Sequence, residues 1–177
     1  MVVMGVDPSS VATGWAVLDG DSRKARVVSS DTIRPSSRLK LSERLHVIHE
    51  HLANAIAQHD PAVMVIESAF LHRNVKTAFA LGQVRGVVLL AAVQQGVAQE
   101  EYSAPEIKRA ACGYGAAGKD QVATMMARIL GLAEVPGDDE ADAMATAWCH
   151  LNHAARPGRR SEAATFARAP AAKRRRL

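Results

Sequence analysis

Asp7 and Glu67 each close a short apolar run, and Asp138, Asp139, Glu140 and Asp142 cluster where a helical stretch begins. Strands bring their C-terminal ends to one edge of a sheet, where loops can build a site. A single acid at such an end usually does no more than cap a turn, but two of them beside an acidic helix start can do chemistry together. On a helix, residues three or four apart share a face, so Asp142 pairs with Asp139 or with Asp138, and Glu140 points elsewhere. Asp138 suits an N-cap, and acids in a first turn also stabilise the helix dipole; spacing alone does not choose between Asp138 and Asp139. Three or four carboxylates suit hard divalent ions, Mg2+ or Mn2+. Two such ions about 4 Å apart hydrolyse phosphodiesters, one activating water and the other stabilising the leaving oxygen. Zinc has no matching pattern. Cys112 and Cys149 stand far apart and read as reduced thiols, and His46, His49, His51 and His59 ride on one helical stretch.

The elements that must position these acids read as follows. Residues 2–7 form a buried strand; Ala12 to Leu18 and Ala25 to Ile33 form two more, around the polar turn Asp19-Gly20-Asp21-Ser22. Three strands this close imply an antiparallel meander. Ser37 looks like the N-cap of a helix striped by Leu41, Leu45, Ile48, Leu52 and Ile56 and stopped by Pro61. Ala62 to Ile66 is a continuous apolar strand buried on both faces. A loop with Phe70, His72, Arg73 and Asn74 leads to a helix over 75–95, then a strand from Val97 to Tyr102. Pro105 starts a short helix, and Gly113, Gly115 and Gly118 mark a loop. Val122, Met126, Ile129 and Leu130 stripe the next helix, which Pro136-Gly137 closes. The last helix packs Met144, Ala145, Trp148 and Leu151. The expected fold class is α/β, a mixed five-stranded sheet flanked by helices.

Charge separates the chain into two regions, an expected domain over residues 1–155 and a basic tail over 156–177 expected to be disordered. The net charge is +4, yet the tail holds eight basic residues and one acid, which leaves fourteen basic and seventeen acidic residues in 1–155. A nucleic-acid partner must therefore meet clustered cations. The tail serves either as a solubilising end or as a nonspecific phosphate tether. No apolar run is expected to span a bilayer, and residues 2–6 are too short for a signal peptide, so the expectation is a cytoplasmic protein with no membrane partner.

The pattern resembles the RuvC family of Holliday junction resolvases. The resemblance rests on Gly5-Val6-Asp7-Pro8 with Thr13-Gly14; Ile66-Glu67 with Phe70 and Asn74; Leu81-Gly82-Gln83-Val84-Arg85-Gly86; Tyr102-Ser103-Ala104 with Ile107-Lys108; the run Gly113 to Val122; and Asp139-Glu140-Ala141-Asp142-Ala143. Each is weak alone. In order over residues 3–152 they are specific.

The resemblance implies an RNase H-like fold in which Asp7, Glu67, Asp139 and Asp142 hold two Mg2+ ions, with Mn2+ as a substitute, and Asp138 is a cap. It implies DNA-backbone contacts at Lys108 and Lys119, the latter opening a helix after a glycine-rich loop. Phe70 would stack on an unpaired base, with Arg73 and Lys76 in the same groove. Gly82 and Gly86 permit close approach of a neighbour, either a twofold mate in a homodimer or the chain's own sheet. Coupling to the RuvA–RuvB branch-migration complex is also implied. Ser9 departs from the glycine usual after Asp-Pro, so its turn must avoid positive φ or be strained; Ser68 and His72 depart as well. Other readings are an RNase H-like nuclease acting on RNA, a catalytically silent junction-binding module, and an actin-like or sugar-kinase lobe. The last needs a second lobe that 177 residues do not hold.

Overall fold

The computed structural model describes residues 1–68 and 75–154. Phe70, His72, Arg73, Asn74 and the tail 156–177 lie outside the described residues. The strands β1 (Val2–Asp7), β2 (Thr13–Gly20) and β3 (Ala25–Ile33) form the expected antiparallel meander. β2 runs through Asp19 and Gly20, so the turn shifts to Asp21–Lys24. There Asp21 N–H donates to the Lys24 carbonyl, and Asp21 Oδ1 accepts from the Arg23 and Lys24 amides.

Helix α1 (Leu41–His59) begins later than Ser37 suggests. Lys40 holds the N-cap position, and Glu43 closes the first turn by accepting the Lys40 amide at 2.7 Å. Ser36 and Leu39 already form a separate turn, which uses up the backbone Ser37 would have capped. Asp60 ends the helix in the left-handed region, φ 44°, and Pro61 follows. β4 (Val63–Glu67) pairs parallel with β1, and β5 (Ala98–Tyr102) pairs parallel with β4. Between them runs α2 (Val75–Gln94). The helices α3 (Ala104–Cys112), α4 (Lys119–Leu130) and α5 (Asp138–Ala154) complete the described chain. α4 stops at Gly131, not at Pro136-Gly137, because Gly131 takes φ 65° and closes the helix directly.

The sheet order is β3-β2-β1-β4-β5. Side chains alternate along each strand. Val3, Ala16, Leu18, Val63 and Val65 therefore face one core with Met126, Met144 and Trp148 of α4 and α5. Met4, Val6, Val17, Met64 and Ile66 face a second core with Ile48, Leu52, Val84 and Val88 of α1 and α2. β4 is buried on both faces, as its unbroken apolar run requires. Among the described residues α2 alone is long and apolar enough, by length and composition only, to cross a membrane. Its apolar residues fall on two faces. Val84, Val88, Ala91 and Ala92 are buried on the sheet, while Val75, Phe79, Leu90 and Val93 are exposed.

Candidate active site

The alternation that builds the cores also aims the acids. Asp7 continues the face of Val3 and Gly5, and Glu67 continues that of Val63 and Val65; both faces lie beneath α5. The β1–β4 register ends with Val6 opposite Ile66, so Asp7 and Glu67 come next, side by side on adjacent strands. Two glycines seat the helix over them. A Cβ at Gly5 would collide with the Ala143 carbonyl, and one at Gly14 with the Asp139 carbonyl. Gly14 is the β2 partner of Asp7. Asp139 thus lies over the residue beside Asp7, and Asp142 immediately precedes the residue seated on Gly5.

Asp139 and Asp142 are three apart on α5, whereas Glu140 turns away and accepts a hydrogen bond from Ser30 Oγ at 2.6 Å. The first helical bond runs from Ala141 N–H to the Gly137 carbonyl, so Gly137 is the cap and Asp138 the first helical residue. The expectation that Asp138 caps the helix is corrected accordingly. A glycine satisfies that position, and Asp138 acts through its charge, on the dipole and on Asp142 and Lys119.

The acids repel one another. Asp7 is pushed up to about 7, first by burial, then by Asp142 and Glu67, with a smaller push from Asp139 and an opposing pull from Lys119. Glu67 is raised by burial and by Asp142, against Lys108, Lys119 and Arg85. Asp142 is raised by burial, against Lys119. Two cations already answer this charge: Lys119 Nζ lies 3.4 Å from Asp142 Oδ2, and Arg34 Nη2 lies 3.1 Å from Asp139 Oδ2. Among the described residues no three carboxylates are drawn into a ready metal cage. Carboxylates in mutual repulsion, two of them paired with cations, have the hard-oxygen donor chemistry that divalent ions take.

A pH dependence follows. A carboxyl raised above its unfolded value favours folding when protonated. That contribution is complete below the unfolded value of 3.8 and is lost as pH rises through about 7. The metal-free protein is expected to lose stability over this window on account of Asp7. Cation binding needs the ionised carboxylate, so it is expected to release protons and to tighten from about pH 6 to about pH 8. Calorimetric Mg2+ titrations in buffers of different ionisation enthalpy check this; binding enthalpies that do not depend on the buffer at pH 7 would contradict it.

Lys108 also stands close enough to pull on Glu67. Lys76 lines a cleft of about 650 Å³ with Asp7, Ser9, Glu67, Leu81 and Arg85. Ser9 has no positive φ. Its Oγ accepts from the Val11 amide at 3.2 Å and its carbonyl accepts from Thr13 Oγ1 at 2.5 Å, so the serine braces the turn after Asp7 without strain. Gly82 and Gly86 are exposed, with nothing within 4 Å of a Cβ at either, so neither packs on the chain's own sheet. Sequence reasoning missed Arg34, Arg44 and Arg85. Arg34 follows β3, whose end a meander must place at the same edge as Asp7. Arg44 reaches the Ser10 carbonyl at 3.2 Å, a contact with no local signal. Arg85 stood inside a quoted motif.

A meander extended by two parallel strands, with a helix laid across it and acids gathered at one edge, defines an RNase H-like nuclease fold. The family model described as "Crossover junction endodeoxyribonuclease RuvC" matches residues 3–150. Proteins of that description from Magnetococcus marinus and Halorhodospira halophila are each 42% identical, over 85% and 88% of this chain and 83% and 92% of theirs. The structure of Thermus thermophilus RuvC in complex with Holliday junction substrate superposes with a TM-score of 0.82 at 33% identity, covering 87% of this chain and 94% of that one. The chain belongs to the RuvC family of crossover junction endodeoxyribonucleases.

Proposed function

We propose that this protein resolves four-way DNA junctions by paired symmetric nicks, acting as a homodimer with two Mg2+ ions per site held by Asp7, Glu67, Asp139 and Asp142. The carrying observation is the register that sets Asp7 beside Glu67 under a helix seated on Gly5 and Gly14. The Thermus thermophilus relative's complex with Holliday junction substrate supports the substrate class. The cations would neutralise charge and ease loss of a proton from the water that attacks phosphorus. The chain's own residues hold and orient. Asp7 and Glu67 would hold the cations from the rigid sheet, and Asp139 and Asp142 from α5. Lys119, at the start of α4, and Lys108 on α3 take backbone phosphates. Lys76 borders the same groove, to which we also assign Phe70 and Arg73. We also assign coupling to the RuvA–RuvB branch-migration complex, a reading that rests on the family resemblance alone.

The twofold contact is assigned to α2. Val75, Phe79, Gly82, Gly86, Leu90 and Val93 recur at steps of three and four, and all six are exposed, Phe79 by 72%. A stripe of this kind is what a C2 interface uses twice. Wild-type protein with Mg2+ is expected to release two nicked duplexes from a synthetic junction while leaving linear duplex and structured RNA intact. Phe79→Asp is expected to yield a monomer by light scattering and to cut resolution at least about tenfold, since one unpaired buried charge costs more than the ~1.4 kcal/mol of a tenfold change. A Phe79→Asp protein that stays dimeric removes α2 from the interface. Equal cutting of RNA removes the junction reading.

A further inference from the structure

Arg85 lies in the Leu81–Gly86 segment that the junction chemistry leaves unused. Its side chain is only 14% exposed. Nη1 donates to the main-chain carbonyl of Glu67 at 2.5 Å, and Nη2 lies 2.5 Å from Glu101 Oε1 on β5. The amide of the same Glu67–Ser68 peptide donates to the Tyr102 carbonyl at 2.8 Å. Both polar ends of the peptide that follows Glu67 are therefore held, one by β5 and the other by Arg85. This is where the chain leaves the sheet, so no further strand pairing would fix that plane. A guanidinium is a rigid planar fork: anchoring one edge on Glu101 aims the other, which a lysine ammonium on a flexible stem does not do.

We propose that Arg85 is a positioning residue which, braced by Glu101, fixes the Glu67–Ser68 peptide and thereby directs the Glu67 carboxylate toward Asp7 and Asp142. The inference rests on the reading of these acids as a metal site. It gives α2 a second role beside its exposed stripe, since Arg85 joins that helix to the strand end carrying Glu67.

The test is Mn2+ affinity of the full-length protein without DNA, by calorimetry, with thermal unfolding of each variant alongside. Groups that orient a metal ligand typically control affinity by about 10–100-fold. Arg85→Gln and Arg85→Lys are each expected to lose about tenfold or more at a folding midpoint that leaves the protein native. Glu101→Gln is expected to lose about threefold or more, and Arg85→Gln/Glu101→Gln no more than Arg85→Gln alone, because the two act in series. Affinity of Arg85→Gln within about twofold of wild type overturns the proposal, as does full rescue by Arg85→Lys, which would show that charge alone matters. If Arg85→Gln does not fold, Glu101→Gln decides, and its unchanged affinity overturns the proposal. Wild-type protein that binds no Mn2+ overturns both this inference and the metal-site reading, whereas intact wild-type binding with unaffected variants overturns this inference alone.

Discussion

Asp7→Asn is expected to reduce junction cleavage by about a thousandfold or more while junction binding persists. A catalytic metal contributes several kcal/mol to the transition state, and each ~1.4 kcal/mol is tenfold in rate. Asparagine keeps the shape of the side chain and removes the charge that a cation needs. It also removes a repulsion, because Asp7 sits half-buried near Asp142 and Glu67 with its ionisation pushed up to about 7. The metal-free variant is therefore expected to be at least as stable as wild type at about pH 8, where wild-type Asp7 is ionised. Lost cleavage with retained or increased stability separates a catalytic role from a structural one. The measurements are single-turnover cleavage of a labelled junction with Mg2+ and binding of the same junction without it. Cleavage within tenfold of wild type, or binding lost in step with cleavage, would remove Asp7 from the centre of the site.

Gly14→Ala is expected to damage stability and chemistry together. Gly14 is not needed for its backbone angles, since it is absent from the positive-φ positions. It is needed because α5 rests on it: a methyl group there would collide with the Asp139 carbonyl and come within 3.0 Å of Asp139 Cβ. Backbone on both sides leaves no flexible side chain to yield, so the helix must move. Overpacking of this kind costs roughly 1–3 kcal/mol, which for a domain of this size lowers Tm by roughly 2–12 °C. A shift of about an ångström at a catalytic group costs on the order of a hundredfold in rate. Gly82→Ala is the internal control for folding alone, because a Cβ there meets nothing of its own chain within 4 Å. In a helix interior that change is expected to favour the monomer fold by up to ~1 kcal/mol. Unfolding scans and cleavage rates below the lower Tm read both effects. A Gly14→Ala protein with wild-type Tm and rate would show that α5 is not seated on β2 in solution.

The sequence by itself determined the alternation and the element types. Apolar runs ending in Asp7 and Glu67 read as strands with their acids at one edge, and the i, i+3 spacing of Asp139 and Asp142 put both on one helix face whichever acid capped the helix. It also carried the family, because the motifs from Gly5 to Ala143 fall in order along one chain. Boundaries were less legible. Ser37 and Pro136-Gly137 carry turn chemistry, but Glu43 and Gly131 close the backbone hydrogen bonds nearer the helix ends, and local competition of that kind is decided by geometry. Gly137 displaced Asp138 from the cap for the same reason.

What only the tertiary structure decided is which residues meet across the chain. Gly5 and Gly14 read as ordinary strand residues in sequence, yet they are contact points for α5, more than a hundred residues away. Arg34 on Asp139 and Arg85 on the Glu67 carbonyl join elements that no periodicity links. Residue spacing reports only on neighbours along one helix or strand, and the partner of a long, charged side chain is fixed by where a separate element packs.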